Sequence, residues 1–291
     1  MRHDIQILYH PVKPLPIASV QTKVLDRDFS ARCSNDDKKF IQEFWMNEVL
    51  SKNPGATSTP RGRANLVGTN IDCSQFVFEY VEYKEYLAVA NTGCRETKPL
   101  SERVYDSMRI AAVGAALVLP DESVFVHRRP FNATHVAGVF DSSTAGVLPV
   151  DARGVYIERG LHEKLKRELG LEPHEVTIEG VTGVHSAGSP DFSGLVTTVL
   201  RTSLNREELE RRRKPDIFPE VKYIPQKELA DFVIDRYTAN DMNHDGAMTL
   251  LSSLPYATWK DSIELLQKTG KHISAGGLYD WNGSFAPLFL W

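Results

Sequence analysis

HEKLKRELGLEP, residues 162–173, is the stretch on which the reading of this chain turns. In the longer run VYIERGLHEKLKRELG (155–170), Ile157, Leu161, Leu165 and Leu169 recur every fourth residue, so an α-helix lines all four on one face against a core. Gly170 stands where a helix ends in the left-handed region, and Leu171 is placed to fold back on the last turn. Arg159 with Glu163, Glu163 with Arg167, and Lys164 with Glu168 are each four apart, the spacing of ion pairs along a helix surface. Residues 164, 167 and 168 therefore share a face made of a lysine, an arginine and one glutamate.

Outward from this helix, AAVGAALVLPDESVFVHRRP (111–130) reads as a hairpin, two apolar strands about a Pro-Asp-Glu turn, with Arg128 and Arg129 emerging at its end. Forked guanidinium donors suit phosphates, although successive strand residues point to opposite faces and only one of the two reaches any one pocket; a solvated strand end is the plainer alternative. A Gly/Ser/Thr-rich stretch, GVFDSSTAGVLPVD (138–151), leads into the helix. After it, VTIEGVTGV (176–184) and LVTTVLRT (195–202) are strands joined by the loop HSAGSPDFSG (185–194). In that loop His185, Asp191 and Phe192 offer a base, a polar contact and a stacking face for a nucleobase, although Gly, Pro and Ser mark any hairpin loop.

REELERRRK (206–214) is a mixed-sign solvated run, and PEVKYIPQKELADFV (219–233) is a strand turning into a helix. DMNHDG (241–246) begins like a calcium loop, but its twelfth position is Ser252 where a bidentate Glu belongs, so Asp245 is read as the cap of a helix over GAMTLLSSL (246–254). The first hundred residues read as strands, DIQILY, SVQTKVL and FVFEYVEY, around a helix in KKFIQEFWMNEVLSKNPG behind an Asn35-Asp36 cap, with a shorter helix in YKEYLAVAN and a polar loop over NTGCRETKPLSER.

The whole chain sets bounds. With 291 residues, 42% hydrophobic and 25% charged, it is long enough for one large core or two smaller ones. Thirty-four basic against 38 acidic residues give a net charge of -4, which provides no overall cationic field for nucleic acid or anionic lipid. Cys33, Cys73 and Cys94 are too scattered for a disulfide framework or a zinc site. The opening MRHDIQILYHPVKPLP lacks the apolar core of a signal peptide, and no stretch approaches a membrane span, so a cytoplasmic location is expected.

Strand, hairpin with arginines, glycine-bearing loop, helix ending in R-E-L-G-L, two strands, then a strand running into PQKEL: this order resembles a Nudix domain. That superfamily's box is written G-x5-E-x7-R-E-U-x-E-E-x-G-U, with U a bulky aliphatic. Anchored on Gly170 and Leu171, its final nine positions fall on EKLKRELGL, with Leu165, Glu168, Gly170 and Leu171 in agreement. The helix bearing Trp45, the segment YKEYLAVAN and the run into VGAALVLPD resemble the UDP-glucose pyrophosphatase branch. The resemblance implies an α+β fold, a Nudix-like αβα sandwich over 109–255, with an N-terminal β-rich module over 1–108 and a C-terminal helix and aromatic tail over 256–291. It also implies a nucleotide or nucleotide sugar as small-molecule partner.

In the family the box helix presents carboxylates to magnesium. Here Lys164 and Arg167 replace two acids and Glu163 replaces the box arginine, so a charge near -3 becomes about +1. One unit-charge pair at ~4 Å and an effective dielectric of ~20 is worth roughly 4 kcal/mol, so each swap weighs heavily against a divalent ion. Upstream, Gly146 is the nearest match to the loop glycine, and neither Asp151 nor Glu158 fits the spacing of the loop acid. The expectation is a catalytic helix whose metal chemistry is largely dismantled, with Lys164 in the room left by a cation and paired with Glu168. Phosphate contacts then fall to Arg128, Arg129, Lys164 and Arg167. The alternatives are an active magnesium-dependent pyrophosphohydrolase, with Glu168 as metal ligand and Glu168 with Glu163 or Glu158 as catalytic carboxylates, and a structural or protein-interaction role.

Overall fold

The computed structural model describes residues 5–56, 62–69, 74–93, 95–133, 137–148, 150–151, 154–187, 192–270, 273–275 and 286–287. Its first part contains β1 (Ile5–Tyr9), β2 (Gln21–Asp28), α1 (Asn35–Phe44, continued by a π-helical segment Trp45–Leu50), β3 (Arg63–Thr69), β4 (Gln75–Val81), α2 (Tyr83–Thr92) and α3 (Glu102–Ser107). The middle contains β5 (Ile110–Val118), β6 (Ser123–Arg128), β7 (Phe140–Asp141), β8 (Thr144–Val147), β9 (Val150–Asp151), β10 (Gly154–Val155) and α4 (Ile157–Leu169). There follow β11 (Val176–Ala187), β12 (Ser193–Thr202), α5 (Arg206–Arg212), β13 (Glu220–Pro225), α6 (Leu229–Thr238), α7 (His244–Ser252), α8 (Tyr256–Lys268), β14 (Ile273–Ala275) and β15 (Ala286–Pro287).

The fold is α+β, an αβα sandwich with a β-rich N-terminal module, as expected. The mixed sheet has the order β14-β1-β11-β12-β5-β3-β4-β2, with β6, β8 and β13 branching from it. Alternation along β5 assigns the two layers. Ala111, Val113, Ala115 and Leu117 pack with Leu161, Leu165 and Leu169 of α4 on one face, while Ala116 and Val118 pack with Met248, Leu251, Val233 and Ile263 of α6, α7 and α8 on the other. A third cluster of Phe29, Ile41, Phe44, Val89, Val104 and Met108 fills the N-terminal module. Small residues let α7 lie close to the sheet: a Cβ on Gly114 would collide with Thr249. Among the described residues no helix is long and apolar enough to cross a membrane.

Several local expectations hold. Gly170 is left-handed at φ 65, and Leu171 N–H reaches back to Leu165 O at 3.3 Å, closing the last turn of α4. The hairpin turn forms with Glu122, rather than a glycine, at positive φ. Others are corrected. The cap of α1 is Ser34, in a reciprocal box with Asp37, and not Asn35-Asp36. The N-cap of α7 is Asn243, and Asp245 lies inside the first turn. The segment NTGCRETKPLSER is not all loop, since α3 begins at Glu102, and β3 was not foreseen.

Burial of ionisable rings makes the packing acid-sensitive. Burial takes His10 and His127 down to about 4 and His185 to about 3. An imidazole that stays neutral when folded, yet protonates near 6.5 when unfolded, supports the fold fully above that pH and loses its contribution as pH falls towards the folded value. Glu85, raised to about 7 by burial, acts in the opposite sense on its own and offsets part of this. Each fully enclosed ring adds a slope of up to about 1.4 kcal/mol per pH unit. The urea midpoint is accordingly expected to fall steadily from pH 6.5 to pH 4.5; a flat profile over that interval contradicts the burial of these rings.

Candidate functional site

The site is built where the C-terminal half of α4 crosses β8. Strand β8 pairs antiparallel with β5, Thr144 opposite Ala115 and Gly146 opposite Val113, which carries its backbone beneath the helix. Leu161, Leu165 and Leu169 hold the helix down, so residues one position off that stripe sit at the margin between core and solvent. Glu168 is one of these and is only 9% exposed.

Its carboxylate is enclosed by donors. Thr144 Oγ1 donates to Oε2 at 2.9 Å, Lys164 Nζ to Oε1 at 3.1 Å, and Arg167 Nη2 to the same Oε1 at 2.8 Å. Lys164 Nζ also donates to Ala145 O, so the ammonium bridges the helix carboxylate and the strand backbone. Gly146 makes room for it, because a Cβ there would collide with Lys164 Cε. Burial pushes the Glu168 carboxyl up, but the Lys164 charge and the hydrogen bonds from Arg167, Lys164 and Thr144 outweigh it and hold the group below the usual carboxylate range.

Next to this cage lies a second buried carboxylate. Asp141 accepts from Ser142 N at 2.7 Å, from Arg129 Nη1 at 2.8 Å and from Asn243 Nδ2 at 3.2 Å. His127 faces it across the β6–β7 register. Burial keeps that ring neutral against the opposing pull of Asp141 and Glu168. Asp141, Thr144, His127 and Asn243 were missed in the sequence. The available signal was Asp141-Ser142-Ser143-Thr144, four polar residues that are all buried.

The predicted residues divide. Glu168, Lys164 and Arg167 come together, with the predicted Lys164–Glu168 pair formed. Arg167 turns to its neighbour Glu168 at 2.8 Å, while Glu163 is 62% exposed and 3.7 Å from Arg159. Arg128 and Arg129 do leave opposite faces of β6. Arg128 lies over the Phe140 ring and pairs with Glu220 and Asp241, whereas Arg129 pairs with Asp141. Both guanidiniums are thus engaged within the protein.

His185 is in strand, not loop. It is buried under α7 with Nε2 2.9 Å from Ser252 Oγ, on the sheet face away from α4. Phe192 is also buried, in the N-terminal cluster, 6.1 Å from the Tyr105 ring. Neither is brought to Glu168, and Asp191 lies outside the described residues.

The donor set does not fit a divalent cation. Both oxygens of Glu168 are already hydrogen-bonded, two of the three donors are cations, and among the described residues no group of three or more His, Cys, Asp or Glu side chains is arranged to hold a metal. The excess charge beside Glu168 is positive, and Arg167 presents it to solvent with 61% of its side chain exposed. Such a surface attracts an anion.

Lys164→Met keeps the aliphatic stem and removes the charge. The Glu168 carboxyl is expected to titrate at higher pH in this variant, read by carbon-13 NMR; an unmoved value shows that Lys164 does not hold the anion. Gly146→Ala is expected to displace the Lys164 ammonium from Glu168 and Ala145 O, lowering stability by about 1–2 kcal/mol through the lost hydrogen bonds, and to cost little further in a Lys164→Ala background.

No family model and no curated protein matches the sequence. Solved structures similar to it include a mutT/nudix family protein from Listeria innocua, at 15% identity over 53% of this chain and 96% of its own, with a TM-score of 0.36. A MutT protein from Methanosarcina mazei Go1 is similar at 15% identity over 56% of this chain and 96% of its own, TM-score 0.34. A MutT NUDIX hydrolase from Burkholderia pseudomallei is similar at 17% identity over 48% of this chain and 94% of its own, TM-score 0.30. No residue role is carried over from them.

Proposed function

We propose that this protein binds a nucleoside-diphosphate-linked small molecule, a nucleotide sugar foremost, on a Nudix-like fold, with pyrophosphate hydrolysis weak or absent. The observation that carries this reading is the saturation of Glu168 by Lys164, Arg167 and Thr144. Lys164 Nζ draws Ala145 O and Glu168 Oε1 to a single positive centre, which is the role a hard cation plays among oxygen ligands. A magnesium ion would have to displace that ammonium and then approach Arg167.

The same charges favour ligand phosphate. Arg167 is the exposed member, and its planar fork suits a phosphate that competes for one of its two arms. Any residual hydrolysis would rely on Glu168, with Glu163 on the solvent side of the helix.

Thermal stabilisation across UDP-glucose, UDP, UMP and pyrophosphate, with and without magnesium, tests the proposal. At a concentration 100 times Kd, binding adds about 2.7 kcal/mol, a shift of a few degrees. Stabilisation by UDP-glucose that does not depend on magnesium, without release of UMP, is the expected outcome. Brisk magnesium-dependent cleavage by the unaltered protein overturns it, and no stabilisation by any nucleotide leaves the structural or interaction role. The double variant Lys164→Glu, Arg167→Glu is expected to acquire magnesium binding, measured by calorimetry.

A further inference from the structure

The basic run Arg211-Arg212-Arg213-Lys214 closes α5 beside the end of α4, and three of its four side chains are engaged within the protein. Arg211 Nε reaches back to Glu207 O at 3.4 Å. Arg212 Nη1 donates to Gly170 O at 3.4 Å and pairs with Glu175 at 2.8 Å. Arg213 pairs with Glu210 and donates to Phe218 O. Lys214 differs from all three. It is exposed, and among the described residues its ammonium makes no ion pair, not even with Asp216 two positions on.

The backbone of Lys214 is nevertheless fixed. Its N–H donates to Glu168 O at 3.4 Å, while its own carbonyl accepts from Phe218 N at 2.9 Å and Ile217 N at 3.1 Å. Phe218 is buried, with its ring 4.5 Å from that of His127. The segment is thus held at one end on α4 and at the other on β6. Lys214 is bonded through its backbone to Glu168, the residue that follows Arg167 and whose carboxylate Arg167 contacts at 2.8 Å. The two exposed cations therefore stand on neighbouring points of backbone.

The C-terminal end of a helix ordinarily repels anions, because its last carbonyls carry partial negative charge. Here donors occupy them: Leu171 N on Leu165 O at 3.3 Å, Gly170 N on Lys166 O at 3.2 Å, Lys214 N on Glu168 O, and Arg212 on Gly170 O. Charge pairing points the same way. Lys164 balances Glu168, Glu172 takes Lys166 and Glu175 takes Arg212, which leaves Arg167 and Lys214 in excess. Asp216, exposed on the same segment, offsets part of their field through water.

We propose that Lys214 is a second phosphate-binding residue, which with Arg167 holds two adjacent phosphates, so that the site selects a pyrophosphate diester over a monophosphate. This rests on the nucleotide-binding reading above. A pyrophosphate diester carries one negative charge on each of two phosphates, and two separate cations match that distribution better than one. The flexible stem of a lysine on fixed backbone suits the second contact, since its ammonium adapts to a phosphate that the planar fork of Arg167 orients.

Calorimetric Kd values for UDP-glucose and UMP, without magnesium, on the wild type, Lys214→Met and Lys214→Arg test the proposal. Lys214→Met is expected to weaken UDP-glucose about tenfold, the loss of one charge-assisted hydrogen bond, and UMP much less. Lys214→Arg is expected to restore the preference, with the unliganded Tm unchanged in both variants. An unaltered UDP-glucose to UMP ratio in Lys214→Met overturns the proposal, as does a fall in unliganded Tm that accounts for the weaker binding. Inorganic pyrophosphate and phosphate on the same three proteins separate this proposal from the reading it rests on. Pyrophosphate binding that depends on Lys214, without UDP-glucose binding, removes the nucleotide reading and supports the paired phosphate site. UDP-glucose binding indifferent to Lys214 removes this proposal alone, and binding of neither ligand removes both.

Discussion

A carboxylate that already accepts from three side chains has little left to offer a metal ion, and Glu168 is in that condition. Two features of the local structure depend on it. The Lys164 ammonium joins α4 to the backbone of β8 through Ala145 O, so the edge of the helix is pinned by charge where its apolar stripe ends. The pair also sets the sign of the local field, because Lys164 and Arg167 together exceed the single negative charge they enclose.

That arrangement depends in turn on backbone that leaves space. Gly146 admits the end of Lys164 on the α4 face, and Gly114 admits Thr249 on the α7 face. Both sit in the paired strands β5 and β8, one register position apart in the ladder, with Val113 opposite Gly146 and Gly114 opposite Ala145. The centre of the sandwich is therefore thin, and polar side chains from either layer come close to strand backbone there. A larger residue at position 146 would expel the lysine, and Glu168 would lose its principal counter-charge.

Much of the fold was legible because it rests on periodicity and punctuation. The four-residue repeat of Ile157, Leu161, Leu165 and Leu169 fixed the buried face of α4, and Gly170 fixed its end. The Lys164–Glu168 pair followed from helical spacing alone. What was not legible depends on contacts distant in sequence. His185 has the composition of a loop around it, yet pairing with Leu195 and Ile7 draws it into strand. Phe192, likewise flanked by turn residues, serves as core for α2, since Gly93 leaves the space its ring occupies. Asp141 became visible only when β7 placed it opposite His127 and the start of α7 brought Asn243 to it. In Asp141-Ser142-Ser143-Thr144 the polarity that reads as a surface loop instead satisfies a buried polar network, a distinction composition does not contain.

The two buried carboxylates are handled differently, and the difference bears on what this face can do. Asp141 is 1% exposed, and its cationic partner among the described residues, Arg129, balances its charge. Glu168 sits nearer the margin with two cationic partners, one of them largely in solvent. A neutral pair deep in the sheet favours rigidity, since moving either member leaves an uncompensated buried charge. Under the proposed function Arg167 would be the arm that meets a ligand anion, with Lys164 and Thr144 left to satisfy Glu168. The buried pair is thus neutral and enclosed, while the marginal one carries a surplus positive charge at the surface, and the proposal of a phosphate-bearing ligand rests on that second pair.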